Sequence, residues 1–108
     1  MEYKGEGFME IEKNFGEDNT LCIKPIGRID IMSAEEFSKE VLSSINNIEA
    51  LTLDFSEVIY VSSAGLRAIL EIAKNMEFKN GSLHIANVPR NILDIFRMTG
   101  FDKILNIG

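Results

Sequence analysis

The stretch VIYVSSAGLRAILEIAKNM, residues 58–76, changes its hydrophobic period halfway. Residues 58 to 61 are a short continuous apolar run, as in a buried strand. After Ser63, residues Leu66, Ile69, Leu70, Ala73 and Met76 fall at offsets 0, 3, 4, 7 and 10, which is one face of a helix reaching about Lys79. A strand therefore runs straight into a helix. The junction is two hydroxyls followed by the small pair Ala64-Gly65.

Outward from that junction the same alternation continues. Upstream, ALTLDF (50–55) reads as a short strand, and VIYV (58–61) continues its apolar content towards the serines. Before it, Ser33-Ala34-Glu35-Glu36 has capping-box spacing and opens a helix with Phe37, Val41, Leu42 and Ile45 inward, ending near Asn46-Asn47. In that box Ser33 accepts from the amide of residue 36, and Glu36 reaches back to the amide of Ser33. Thr20 to Ile26 is a further strand, and Pro25, lacking a backbone donor, points to a sheet edge or an irregular strand end. From Met9, a period of two sets Met9, Ile11, Lys13 and Phe15 against Glu10, Glu12 and Asn14. Gly16-Glu17-Asp18-Asn19 closes a hairpin between these two strands. Residues 1–8, with two glycines within the first seven, read as a flexible lead-in to a single domain over 9–108.

Downstream, Asn80-Gly81 ends the second helix and SLHIANV (82–88) is a strand. Pro89 suits the first turn of a third helix with Ile92, Leu93 and Phe96 inward, and Gly100 stops it. Phe101, Ile104 and Leu105 fold back as a last short element. The fold class is α/β: a mixed sheet of four to five strands, the later ones parallel, with helices packed against it.

The totals exclude several functions. With 108 residues the chain can bury a core without staples. A net charge of -6 argues against a nucleic-acid surface, which needs clustered Lys and Arg. Cys22 is the only cysteine, so there is no intramolecular disulfide; within LCIKPI it reads as a buried, inert thiol. Neither a thiolate metal site nor a cofactor motif is present. No apolar run is long enough for a signal peptide or a membrane span, so the expected location is the cytoplasm.

Three jobs are open to the serines: helix cap, nucleophile or phosphate acceptor. With a helix starting at Ala64, Ser63 sits at the N-cap and satisfies an orphan amide. A nucleophile needs a base, and the single histidine, His84, lies in an apolar strand with no acid beside it in sequence. Gly-x-Ser-x-Gly and the phosphate-loop spacing are both missing. A helix N-terminus also tolerates a covalent phosphate, because its amides and dipole favour negative charge. Cap and acceptor are compatible with the same geometry.

LDFSEVIYVSSAGLRAILEIAK (53–74), with GRID (27–30) before it and MTGFDKIL (98–105) after it, resembles the STAS domain family, specifically its stand-alone anti-sigma factor antagonists. The resemblance runs from about Met9 to Ile107. It implies no catalysis and no cofactor. The expected partner is an anti-sigma factor that is also a serine kinase of the histidine-kinase-like ATPase fold; it is bound when the antagonist is unphosphorylated and released on phosphorylation. A PP2C-type phosphatase resets the switch. The implied acceptor is Ser63, two before the motif glycine. The partner-binding set carried over is Arg28, Asp30, Met32, Ser62, Ala64, Gly65, Leu66 and Arg67, with Asp30 near the acceptor. Relatives often carry Asp where this chain has Ser62, which makes Ser62 a second candidate hydroxyl. The alternatives are a STAS adaptor for another signalling or transport complex, and a nucleotide-binding protein or enzyme using the serine loop.

Overall fold

The computed structural model describes residues 9–108 in full and the backbone of residues 2–4. Its elements are β1 (Glu2–Lys4), β2 (Met9–Phe15), β3 (Thr20–Ile29), α1 (Ala34–Leu42), β4 (Ala50–Asp54), β5 (Val58–Val61), α2 (Ser63–Phe78), β6 (Ser82–Ala86) and α3 (Arg90–Thr99). A 3-10 turn, Phe101–Lys103, follows. The expected lead-in over 1–8 falls only partly within the described residues. There, residues 2–4 are a strand antiparallel to β2, with Tyr3 opposite Ile11.

The described strands form one six-stranded mixed sheet in the order β1-β2-β3-β4-β6, with β5 paired to β3 off that path. Without the three-residue β1 this is five strands, within the expected four to five. β2 and β3 make the hairpin, and Asp18 (φ 56°) and Asn19 (φ 59°) take up the left-handed backbone of its turn. β4, β5 and β6 are parallel additions.

The apolar run 50–61, which reads as nearly continuous, is two strands with different positions. β4 lies along residues 20–23 of β3, whereas β5 lies along residues 27–29. The handover explains Pro25, which sits in an interior strand and not at an edge. Gly27 donates its N–H to Glu57 on the β5 side (3.0 Å). Strand alternation turns the nitrogen of Pro25 to that same side, opposite the gap where neither β4 nor β5 pairs. A strand interior tolerates proline where no ladder bond is needed.

α1 and α2 pack on each other, and α3 packs on β5 and the final 3-10 turn. Phe37, Val41, Ile69, Ile72 and Met76 are fully buried with Ile11, Ile23 and Leu53 of the sheet. Phe55 and Phe96 meet with ring centroids 6.2 Å apart. Lys13 points into this layer and pairs with Glu40 of α1, while Phe15, one repeat further along β2, is 58% exposed beyond the helices. α3 buries Ile92 and Phe96 as its spacing predicts, whereas Leu93, also expected inward, is only half-buried and Ile95 packs against the core instead; Gly100 ends the helix at φ 81°. Cys22 is half-buried, because it lies on the sheet face opposite Leu21 and Ile23. Burial, reinforced by Asp54 and opposed by Lys24, raises its thiol above the usual range, which disfavours the reactive thiolate.

Gly65 fixes how closely α2 approaches β3. A Cβ there would stand 2.3 Å from the carbonyl oxygen of Ile29 and 2.9 Å from Cγ1 of Val61. Gly65→Ala should therefore cost about 1–3 kcal/mol, the range for forcing a methyl group into a packed site. Urea unfolding checks it, and an unchanged midpoint would mean the contact is looser than this geometry.

Candidate partner-binding site

β3 and β5 end side by side, with Ile29 in register with Val61. The chain leaves β5 through Ser62, whose N–H donates to the Ile29 carbonyl (3.0 Å) in a last ladder bond. Ser62 is extended (φ -92°, ψ 179°) and its Oγ accepts from the Gly65 N–H (3.3 Å), while its carbonyl accepts from Leu66 N–H (2.8 Å). Ser62, not Ser63, is thus the N-cap. The helix starts one residue earlier than the pattern of apolar residues indicates, because Ser62 still belongs to the ladder and its hydroxyl is aimed at the first turn. Ser63 becomes the first helical residue. It is exposed, and its hydroxyl has no hydrogen-bond partner among the described residues.

Beside this junction the end of β3 forms a loop held by Asp30. Its Oδ1 accepts from the Met32 N–H (3.0 Å) and its Oδ2 from Arg28 Nε (3.3 Å), while its carbonyl accepts from the Ala34 N–H (2.8 Å). Burial alone would raise the Asp30 carboxyl, but the bonds from Met32, Arg28 and Ser33 outweigh it and hold the group below the usual range. The expected capping box at Ser33 does not form on the serine side. Ser33 is fully buried; its hydroxyl donates to the Arg28 carbonyl (2.6 Å) and accepts from the Asp30 N–H (3.0 Å), so it staples the loop and does not cap α1. Arg28 also lies over the Tyr60 ring, 4.6 Å from its centroid, across the β3–β5 pair.

This end of the sheet therefore collects Arg28, Asp30, Met32, Ser62, Ser63 and Ala64. Arg67 lies one helical turn beyond Ser63, exposed, on the wall of a groove of about 590 Å³ between α1 and α2 that Ala34, Ser38 and Ala64 also line. Two of the expected contact residues point the other way. Gly65 and Leu66 are buried and seat α2 on the sheet, so they shape the site without presenting atoms to a partner. Sequence reasoning missed Ile31, which is 80% exposed beside Met32, and Tyr60 under Arg28. An apolar residue that is left outside looks in sequence like one that is buried, and only the turn after Ile29 reveals it.

The catalytic alternative finds little support in this arrangement. His84 is in β6, opposite Thr52 of β4, which lies along residues 20–23 of β3, whereas Ser62 follows β5, which lies along residues 27–29 of β3. Among the described residues no group of three or more His, Cys, Asp or Glu could hold a metal ion, and no helix is long and apolar enough to cross a membrane.

Comparison with known proteins bears on the family and the fold. BtrV of Bordetella bronchiseptica, provisionally named an anti-sigma factor antagonist, is 28% identical over 83 residues, covering 76% of this chain and 72% of its own. The anti-sigma-B factor antagonist of Bacillus subtilis is 24% identical over 91 residues, 84% of each chain. The Bacillus cell fate determinant SpoIIAA, solved in its phosphorylated form, superposes with a TM-score of 0.70 at 15% identity, covering 91% of this chain and 90% of that one. A family model described as the STAS domain matches residues 11–108. The alternation of strand and helix, the serine junction and this match together make the chain a member of the STAS domain family.

Proposed function

We propose that this chain is an anti-sigma factor antagonist switched by phosphorylation of Ser63. Unphosphorylated, it binds an anti-sigma factor that is also a serine kinase; phosphorylated, it lets go; a PP2C-type phosphatase restores it. The observation that carries the reading is the division of labour between the two serines. Ser62 spends its hydroxyl on the Gly65 amide, whereas Ser63 holds an unengaged hydroxyl on the exposed first turn of α2. The names of the two curated relatives, and the phosphorylated form in which SpoIIAA was solved, support the same reading.

In the transfer step Ser63 Oγ forms a bond to the γ-phosphorus of ATP as the bond to the departing ADP breaks, and the hydroxyl proton passes to a base of the kinase. The product puts a charge of about -1.5 to -2 at a helix N-terminus, where dipole and amides favour it by about 0.3–1 kcal/mol. The domain has no reason to unfold. A partner packed over Met32, Ile31 and the hydroxyl, by contrast, would have to desolvate a dianion beside the Asp30 carboxylate. Losing about 2.8 kcal/mol there is a hundredfold in affinity, a modest demand for a buried unpaired charge.

The serine assignment is tested by treating the chain with ATP and the anti-sigma factor kinase from its own cells. Ser63→Ala should abolish phosphate uptake while changing stability by less than about 0.5 kcal/mol. Ser62→Ala should lose about 1 kcal/mol, as for an N-cap, and still take up one phosphate. Mass spectrometry that puts the phosphate on Ser62, with Ser63 unmodified, overturns the assignment.

Asp30 offers a separate test of the loop. Because its carboxyl is held low in the fold, its contribution is fully present above its unfolded pKa of about 3.9 and is lost as pH falls through the lower folded value. The stability gap between wild type and Asp30→Asn should be constant from neutral pH to about pH 5 and close below about pH 4. A gap that does not change with pH would mean the charge of Asp30 contributes nothing to the loop.

A further inference from the structure

Arg28 at the end of β3 and Arg67 on α2 differ in what they already hold. Arg28 is committed, with its Nε on Asp30 and its guanidinium over Tyr60. Arg67 is exposed and makes no ion pair with another described residue. Its position relative to Ser63 is i+4 on the same helix, so the two side chains share a face about one turn apart. Side chains on a helix lean toward its N-terminus, which directs a long arginine back over the residue four before it. An anion N-terminal to a cation at this spacing is also the favourable order.

We infer that Arg67 is the intramolecular clamp for a phosphate on Ser63: its guanidinium takes two of the phosphate oxygens in a forked, charge-assisted contact. This deepens the proposed switch and rests on Ser63 as the acceptor for its biological meaning. The clamp gives phosphorylation a second effect besides added charge. It withdraws a cation from the α1–α2 groove, where Glu35 and Glu71 share the walls with it, and turns that groove more acidic. A partner fitted to Arg67 in the unphosphorylated state loses that contact as it meets the new charge. A lysine would supply charge without the fork, so arginine is the residue type the geometry uses.

The test installs phosphoserine at position 63 of the full chain directly, by translation or ligation, and so needs no kinase. The second ionisation of the phosphate, ordinarily near pH 6, is followed by phosphorus NMR in the wild-type background and in Arg67→Gln and Arg28→Gln. The charged groups on the elements around it are Arg67, with Glu71 and Lys74 further along α2, Glu35 of α1 across the groove, and Arg28 and Asp30 of the β3 end. Only the arginine under test changes between samples. The clamp predicts a midpoint about 0.3 pH units or more lower with Arg67 than with Arg67→Gln, the scale of an i,i+4 pair or stronger. It predicts no comparable shift for Arg28→Gln, and a slowed, displaced Arg67 Nε–H signal on phosphorylation. Equal midpoints for wild type and Arg67→Gln overturn the clamp, as does a shift confined to Arg28→Gln. A kinase that ignores Ser63 would defeat the proposed switch and leave this measurement intact, so the two ideas fail separately.

Discussion

The close seat of α2 on the end of β3 sets the geometry of everything around it. With no side chain at Gly65, the helix comes down onto the Ile29 carbonyl, which also accepts the last ladder bond from Ser62. One peptide group thus ends a strand pair and carries a helix. From that contact follow the direction of α2, the packing of Leu66 and Ile69 against the sheet, and the projection of Ser63 into solvent. A bulkier residue at 65 would lift the helix and move the hydroxyl with it.

Around the seat, polar groups do mechanical jobs that a functional reading could take for contacts. Ser33 staples the β3 loop from a fully buried position, and Asp30 holds the turn through Met32 N–H and Arg28. Ser62 caps the helix. The groups left over at this end are the ones with free chemistry: the Ser63 hydroxyl, the Arg67 guanidinium, and the exposed apolar surface of Ile31 and Met32. A surface that pairs a rigid frame with an uncommitted hydroxyl and exposed apolar residues suits reversible binding of a protein partner.

Most of the architecture was legible because its signals are local. The period change after Ser63, the Asn80-Gly81 stop and the Gly100 stop act over a few residues, and the elements formed where those residues put them. What the sequence hid depends on distant partners. Whether ALTLD and VIYV are one strand or two is decided by which half of β3 each meets, and β3 lies more than twenty residues upstream. Pro25 pointed to a sheet edge or an irregular strand end because its donor is missing, yet a gap between two partner strands serves equally well. The cap moved from Ser63 to Ser62 because a tertiary ladder bond set where the helix could begin. At Ser33 the capping-box spacing was real, but the loop around Arg28 and Asp30 competed for the same hydroxyl and won.

The central claim is that charge placed on Ser63 alters binding while the frame beneath it stays intact. Phosphorylated and unphosphorylated chains can be compared in one experiment that reads the thermal midpoint, the backbone amide spectrum and the affinity for the anti-sigma factor kinase. The account predicts a midpoint unchanged or slightly raised, amide changes confined to the β3 end and the first turns of α2, and affinity lower by about a hundredfold or more. A collapsed midpoint, or an affinity that phosphate leaves untouched, would contradict it.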